Sequence, residues 1–334
     1  MKSLVPLVGL FISLFSHAQV CENKGPNIIL FTLDGVRNQE FFKGTGFLLE
    51  NKLPKKERGE VFSNFWSSLS DRGLVLGGNS RYTIGSKVSI SLPSYQAIMM
   101  GKQTDCKNNG CESVKEETVL ERIKREAALD KKDVAVFASW DRIIAAIAKD
   151  PSNITHGIHP EIFDDGTNDP VMKQLQIDSS LDLPEWHGSR KDKYTFALAH
   201  HYLKKHCPRV LYISLVDSDE FGHSKNYPGY VRSLRTYDEY LKTLVKTLEG
   251  MGEYGKNTTL FVTTDHSRGR GSLWSSHGTF PWTERNIFLY VKGAQVNKTG
   301  RQKARADHLF LRPTFEKIMG LTPMSDKILP HMNF

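Results

Sequence analysis

The chain has 334 residues, of which 39% are hydrophobic and 25% charged, and its formal net charge is +8. These values are ordinary for a globular protein and favour one large α/β domain over two small ones. The basic balance suits anionic substrates or surfaces. Its lysines are scattered without a dense basic block or interleaved aromatic residues, so we expect no nucleic-acid partner.

The amino terminus predicts a cleaved signal peptide over residues 1–18, MKSLVPLVGLFISLFSHA. Lys2 precedes a short apolar run that ends in Ser-His-Ala at 16–18. The run is shorter than the roughly 20 residues of a membrane-spanning helix, and no later segment could span either. Cys21 raises the alternative of a lipoprotein, but the usual small residue is missing before it. We therefore expect a secreted or periplasmic protein without a membrane span in the mature chain.

Apolar, β-branched runs bounded by turn residues alternate with helical patterns along the chain. The predicted strands cover 27–32, 133–139, 209–216, 259–264 and 287–292, and the predicted helices cover 117–128, 142–148, 191–205 and 230–251. This alternation indicates a largely parallel sheet with helices on both faces. Residues 40–75 and 150–190 break the pattern and are predicted to be insertions that form a cap. We assign 22–330 to a single catalytic domain.

Four cysteines could pair completely in the oxidising compartment that export implies. Cys106 and Cys111 flank a turn-forming KNNG stretch, which predicts a small disulfide loop. Cys21 and Cys207 would then pair by elimination. Free thiols remain the alternative, and the spacing fits no zinc-finger pattern.

Candidate metal ligands follow the predicted strands, where ligand sites lie in open α/β sheets. The set consists of Asp34, Asp219, His223, Asp265, His266 and His277. A carboxylate and an imidazole four residues apart, as in DEFGH, can converge on one cation, although a solvated surface pair is the alternative. The Asp265-His266 dipeptide is stronger evidence for a metal site, because the free-energy cost of burying both polar groups must be offset, as a bound metal would do. Three Asp and three His are a ligand set for two divalent ions, and zinc is the expected ion because it accepts nitrogen and carboxylate oxygen together.

Ser91 is the candidate nucleophile. It precedes Leu92-Pro93 in SISLPSYQAIMMG, and proline is favoured in the first turn of a helix. Its hydroxyl would stand at a helix N-terminus, where free amide groups favour an anion. An ordinary N-cap serine is the alternative interpretation.

The ordered motifs LDG, SLPSY, DEFGH, DH and SHG resemble those of the alkaline phosphatase superfamily over about residues 26–320. The resemblance is strongest to nucleotide pyrophosphatase/phosphodiesterase-like and bacterial secreted phosphatase-like members. It implies a central mixed, mainly parallel sheet between helices. It also implies one zinc site that includes the Ser91 oxygen and one that does not. The residues of the first site would be Asp34, Asp265, His266 and Ser91, and those of the second Asp219, His223 and His277.

The sequence departs from the family pattern in two places. Many relatives carry threonine as the nucleophile, where this chain has Ser91, and asparagine three positions later, where it has Ser94. That asparagine helps to bind the substrate's oxygen. Tyr95 stands where the sulfatase signature has an arginine, which argues against conversion of Ser91 to formylglycine. Further anion contacts could come from Arg268 and Arg270, or from Lys87 and Lys102, with an ordinary surface or structural charge as the alternative for each. Trp140 and Trp186 could line a pocket for an organic group, with core packing or anchoring of a loop as the alternative.

The sequence thus predicts an exported two-zinc hydrolase of small anionic phosphate esters that acts through a phosphoseryl intermediate. Phosphomonoesterase and phosphodiesterase are not distinguished. A sulfatase or phosphonate hydrolase is the alternative enzyme, and a metal-stabilised surface or binding protein is the alternative outside the enzymes.

Overall fold

A computed structural model describes residues 21, 25–46, 55–78, 80–160, 163, 165–278 and 285–334. The predicted signal peptide lies outside the described residues. The strands are β1 Asn27–Leu33, β2 Leu74–Leu76, β3 Arg81–Thr83, β4 Val134–Ala138, β5 Thr155–Ile158, β6 Val210–Leu215, β7 Thr258–Thr263, β8 Leu289–Lys292, β9 Gly300–Arg301 and β10 Arg305–Asp307. The α-helices are α1 Asn38–Lys43, α2 Arg58–Val61, α3 Ser91–Met100, α4 Val119–Glu126, α5 Ile144–Ile147, α6 Pro170–Leu181, α7 Asp192–His206, α8 Asp217–His223, α9 Tyr227–Gly250, α10 Gly252–Lys256 and α11 Leu311–Ile318.

The main sheet has eight strands in the order β5-β4-β6-β1-β7-β8-β2-β9. The five strands from β5 to β7 are parallel, whereas β8 runs antiparallel to both β7 and β2. The predicted mixed, mainly parallel α/β sheet is therefore confirmed. Strands β3 and β10 form a separate parallel pair.

Hydrophobic cores cover both faces of the sheet. Side chains alternate along β1, so that Ile29 and Phe31 join a core with α7 and α9, while Ile28 and Leu30 join a core with α3, α4 and α11. Every residue of β1 is buried. Burial on both faces explains why the strand is a continuous apolar run rather than an alternating one.

The long apolar strands lie within one or two residues of their predicted bounds, and two predicted elements are shorter. The last predicted strand begins at Leu289 rather than at 287. The helix predicted over 142–148 is a 3-10 turn followed by the four-residue α5.

The segment 150–190 contains regular elements that its weak periodicity did not indicate. Strand β5 extends the main sheet at one edge, and α6 spans twelve residues. Pro170 begins α6, and the Asp169 carboxylate accepts hydrogen bonds from the first-turn amides of Val171 and Met172. The proposed cap and the domain bounds stay predictions.

Both predicted disulfides are present, and they join Cys21 to Cys207 and Cys106 to Cys111. The first ties Cys21, six residues before β1, to Cys207 at the end of α7. The second closes the loop that follows α3. Within the described ranges, no helix is both long and apolar enough to cross a membrane.

Candidate metal centre

Three neighbouring strands bring the predicted ligands together. Asp34 follows β1, Asp265 and His266 follow β7, and α8 with Asp219 and His223 follows β6. In the sheet β1 lies between β6 and β7, and all three run in the same direction. Their carboxyl ends therefore meet at one edge, where ligands bind in open α/β sheets.

The first group consists of Asp34, Asp265 and His266, whose ligand atoms all lie within 4.8 Å of one another. His266 Nε2 lies 3.4 Å from Asp34 Oδ1 and 3.4 Å from Asp265 Oδ2. The other two carboxylate oxygens are held by the Tyr95 hydroxyl, which donates to Asp34 at 3.0 Å, and by the Gly35 amide, which donates to Asp265 at 3.1 Å. These hydrogen bonds aim the remaining oxygens at the imidazole.

Asp34 Oδ1 and Asp265 Oδ2 are buried, and neither accepts a hydrogen bond from any residue in the described part of the chain. Leaving a buried carboxylate oxygen without a partner is costly. A divalent cation would satisfy both oxygens at once, together with the imidazole nitrogen. The first group therefore fits a metal ion.

The second group consists of Asp219, His223 and His277, again with ligand atoms within 4.8 Å of one another. His223 Nε2 lies 2.8 Å from Asp219 Oδ2 and 3.1 Å from His277 Nε2. His277 Nδ1 donates to the Ser89 carbonyl oxygen at 2.8 Å. That bond fixes the ring and leaves Nε2 available as a ligand, as outer contacts commonly do for metal-binding histidines.

The two groups are adjacent. The rings of His266 and His277 stack with their centroids 4.0 Å apart, and His266 Nε2 lies 3.7 Å from Asp219 Oδ1. The arrangement therefore brings two candidate ion sites side by side at one edge of the sheet.

Burial shifts the pKa values of ligand candidates in both groups. Burial, together with the charges of Asp265 and Asp219, raises the pKa of Asp34 well above its ordinary value. Burial and the Asp219 charge raise the pKa of Asp265 to about 7. Burial also lowers the pKa of His266 and of His277, so both rings are neutral, which is the form that binds metals. A bound cation would relieve the repulsion among the carboxylates.

Arg268 was expected to contact the substrate. It instead lies buried against Asp219, out of contact with solvent. Its guanidinium is fully buried, donates to the Asp219 carbonyl oxygen at 2.7 Å and also contacts the Asp219 carboxylate and the Ser275 carbonyl. Burial acts to raise the pKa of Asp219, but the charge of Arg268, with His277, holds that pKa well below its ordinary value. Arg268 thus orients a candidate ligand and keeps it ionised.

Replacing Arg268 with glutamine should destabilise the metal-free protein by about 3–5 kcal/mol, because it leaves Asp219 buried without its charge partner. Urea unfolding of the chelator-treated protein measures the difference. Arg232→Gln, at an exposed position of α9, is the control and should cost no more than about 0.5 kcal/mol. Equal losses in the two variants would contradict this role of Arg268.

The other candidate substrate contacts are placed as follows. Ser94 is buried one turn after Ser91, and its hydroxyl lies 2.9 Å from that of Ser86. Arg270 is exposed. Lys102 is bonded to Glu116 at 2.7 Å, as expected for an ordinary surface charge.

Ser91 is the first residue of α3, and Ile90 is the N-cap, so Ser91 does not serve as an ordinary capping serine. Its buried hydroxyl lies 3.2 Å from His266 Nε2, next to the first group. The following amide, Leu92 N–H, donates to Asn109 Oδ1 at 3.0 Å. Asn109 comes from the disulfide loop, where the sequence indicated only a turn, so its contact with the nucleophile helix was not predicted.

A model of the Metalloenzyme superfamily matches residues 188–308. The matched segment includes the ligand candidates on α8, after β7 and at 277, and it leaves out Asp34 and Ser91. Members of this superfamily use divalent metal ions, and the two ligand groups agree with that. The match covers a minority of the chain, and what it shows is similarity to a superfamily of metalloenzymes.

A phosphopentomutase from Pseudoalteromonas translucida is 29% identical over 104 residues, which cover 29% of this chain and 22% of that protein. The match therefore spans about a fifth of the length of that relative. The likeness is confined to part of each chain.

Several solved structures share the fold over most of the chain. A phosphonate monoester hydrolase of Agrobacterium radiobacter has a TM-score of 0.57 at 11% identity, covering 89% of this chain and 74% of that one. A putative sulfatase from Bacteroides thetaiotaomicron has a TM-score of 0.59 at 14% identity, with coverages of 90% and 72%. An alkaline phosphatase superfamily protein from Vibrio parahaemolyticus has a TM-score of 0.58 at 11% identity, with coverages of 90% and 67%. These structures show that the chain has the fold that the resemblance to the alkaline phosphatase superfamily implies.

Proposed function

We propose that the protein hydrolyses phosphate esters, with Ser91 as nucleophile and two divalent ions, zinc in the first instance, as cofactors. The observation that carries the proposal is the position of the Ser91 hydroxyl. It lies 3.2 Å from His266 Nε2, at the start of a helix and beside two adjacent ligand groups. A buried serine hydroxyl in that position is placed to attack an ester whose anionic oxygens are held by cations.

In this proposal Asp34, Asp265 and His266 hold one ion next to Ser91, and the second group, defined above, holds the other. When bound, the ions supply positive charge that lowers the pKa of a hydroxyl group and offsets the charge of phosphoryl oxygens. The protein's own contribution is to aim the ligands. Tyr95, Gly35, Ser89 and Arg268 do this through the hydrogen bonds described above.

The reaction divides into two displacements at phosphorus. Ser91 loses its proton to solvent, its Oγ forms a bond to phosphorus, and the bond from phosphorus to the ester oxygen breaks. The departing oxygen takes a proton from water and leaves as an alcohol. Water then attacks the phosphoseryl group, the bond between Oγ and phosphorus breaks, and Ser91 regains a proton. Two inversions leave the configuration at phosphorus retained.

Tyr95 supports phosphate over sulfate as the substrate group. It stands where the sulfatase signature carries arginine, and here its hydroxyl is committed to Asp34 at 3.0 Å. Burial raises the pKa of Tyr95 well above its ordinary value, so it remains a neutral donor. The histidine-rich second group also favours phosphate, since sulfatases usually hold a single calcium ion.

We also propose that the protein acts outside the cytoplasm on a small anionic ester as a single catalytic domain. The two disulfides support this location, because such bonds persist in oxidising compartments. The segments near 40–75 and 150–190 would shape access to the metal centre.

The purified protein should contain about two zinc ions per chain by plasma mass spectrometry. It should cleave p-nitrophenyl phosphate or bis-p-nitrophenyl phosphate, and the preferred ester separates a monoesterase from a diesterase. One calcium ion with cleavage of p-nitrophenyl sulfate would overturn the proposal in favour of a sulfatase. Bound metal without turnover of any ester would favour a binding protein.

A further inference from the structure

A cavity of about 420 Å³ opens between α6 and the residues that follow β5. This volume is within the range of pockets that bind small organic molecules. None of its lining residues belongs to the metal centre. The residues that line the cavity include His159, Lys173, Gln176, Ile177, Leu183 and Arg190.

Arg190 brings a buried positive charge to this cavity. Its side chain donates from Nε to the Thr195 hydroxyl at 2.8 Å and from Nη2 to the carbonyl oxygens of Ala138, at 3.2 Å, and Gly157. The residue is only 4% exposed. In the described part of the chain no group accepts a hydrogen bond from Nη1, and no carboxylate forms an ion pair with Arg190. Buried arginines are rare without an ion-pair partner, because neutral carbonyls do not balance the charge.

Asp192 is the acidic residue whose charge acts on the pKa of Arg190. Both carboxylate oxygens of Asp192 already accept other hydrogen bonds. They accept hydrogen bonds from the Ser139 and Tyr237 hydroxyls and from the amides of Val216 and Asp217. Burial lowers the pKa of Arg190 to about 10, so the guanidinium remains charged at neutral pH. An anion in the cavity would supply the missing partner, since guanidinium groups bind carboxylates and phosphates well.

The cavity rim combines cationic and apolar groups. Lys173 contributes a second positive charge, and its ammonium group donates a hydrogen bond to the Asn168 side chain. Ile177 and Leu183 are 52% and 62% exposed, which is unusual for large aliphatic side chains lying together at a cavity mouth. A ligand with an acidic group and an apolar body would match both features.

The cavity lies on the same edge of the sheet as the metal centre. His159 directly follows β5, which is separated from β1 by β4 and β6. Strands are spaced about 4.8 Å apart, so three spacings place the end of β5 roughly 14 Å from the end of β1, which Asp34 follows. The loop from Leu183 to Arg190 lines the cavity at both of its ends, and Trp186 within it packs at 5.1 Å against Phe221 of α8, the helix that carries Asp219 and His223. A substrate could therefore reach both places along this loop.

We propose that the cavity is a second substrate subsite, which binds an organic acid group joined to the reacting phosphate by an apolar linker. This inference rests on the proposed function. It narrows the substrate class to esters with two anionic ends about 10–15 Å apart.

Two series of phosphate monoesters test the subsite: ω-carboxyalkyl phosphates and n-alkyl phosphates of matched length. With linkers of about ten carbons, the carboxylate should lower KM at least about tenfold relative to the matched alkyl ester, which corresponds to about 1.4 kcal/mol. With two carbons, the carboxylate cannot reach the cavity and should give no advantage. A ratio near one at every length would overturn the proposal.

Removing positive charges at the cavity tests which residues lower the KM of the carboxylate esters. Lys173→Ala and Arg190→Gln should both reduce the carboxylate advantage, while Arg190→Lys should retain part of it. Arg190 is buried, so its variants could misfold. In that case the result for Lys173→Ala, at an exposed position, decides whether the cavity binds the carboxylate. Lys246→Ala, an exposed charge removal on α9, is the matched control and should keep the full advantage. Comparing KM ratios within each variant removes general changes in activity.

Calorimetric titration with octanoate tests the cavity without any ester reaction. Metal-free protein should bind one octanoate, and Lys173→Ala should weaken the binding several-fold. Failure of the ester assays together with octanoate binding that depends on Lys173 would refute the proposed function and leave the anion site standing. Ester hydrolysis with no octanoate binding and no carboxylate advantage would refute the subsite alone.

Discussion

Replacing Ser91 with alanine is expected to reduce kcat on a phosphate ester by at least about 10⁴-fold, because losses of this size accompany removal of a nucleophile that forms a covalent intermediate. The variant should retain both metal ions, since three other ligand candidates surround each proposed ion. Steady-state rates with p-nitrophenyl phosphate and metal analysis on the same samples measure both effects.

Ser67→Ala is the matched control for this prediction, because Ser67 is an exposed serine outside the metal centre. It should have the wild-type rate. Retention of more than about a tenth of the activity in Ser91→Ala, with metal content unchanged, would show that the attacking oxygen comes from elsewhere.

Removing the divalent ions should lower the melting temperature by roughly 10 °C, as expected when ligands present far above their dissociation constants are lost. The physical reason is the convergence of Asp34, Asp265 and Asp219. Asp219 is paired with an arginine, whereas no arginine among the described residues forms such a pair with Asp34 or Asp265. Thermal unfolding before and after chelation measures the effect. An unchanged melting temperature, with metal lost, would contradict the assignment of the two groups.

The metal-free protein should also lose stability as the pH rises through about 7. Burial and the Asp219 charge raise the pKa of Asp265 to about 7, so the folded state binds its proton more tightly than the unfolded state does. That contribution is fully present below the ordinary carboxyl pKa and is lost as the pH passes the raised value. Melting curves of chelated protein at several pH values check the direction.

Asp265→Asn separates the titration of this carboxyl from other effects. In the metal-free state the variant should show a weaker dependence on pH, because the amide does not titrate. It should also bind less metal than the wild type. A wild-type pH profile in Asp265→Asn would mean that another group is responsible.

The parts of the fold that were predictable are those whose signal is contained in one short segment. The buried strands β1, β6 and β7 are continuous apolar runs with turn residues at their ends, and the long helices α7 and α9 have clear periodicity. Strands β2, β3, β9 and β10 have only two or three residues, so no period can be detected in them. The weakly periodic helix α6 was likewise missed, and several of its apolar side chains face the solvent.

The candidate site likewise has a part that could be predicted from local sequence and a part that could not. The ligand residues could be predicted because polar groups directly after buried strands must collect at one edge of the sheet. The roles of Arg268, Tyr95 and Asn109 depend on contacts with residues far away in the sequence, as with the bond between Tyr95 and Asp34. Such contacts become visible only once the chain has folded. Arg268 was expected at the substrate for this reason, although it lies buried against Asp219.

Trapping the covalent intermediate tests the central proposal most directly. Wild-type protein mixed with a phosphate ester and quenched in acid should yield a peptide with a phosphate group on Ser91, identified by tandem mass spectrometry. The label should be absent from Ser91→Ala and from chelated wild-type protein. Rapid ester turnover without any phosphate on Ser91 under these conditions would contradict the account, because water would then attack the phosphorus directly.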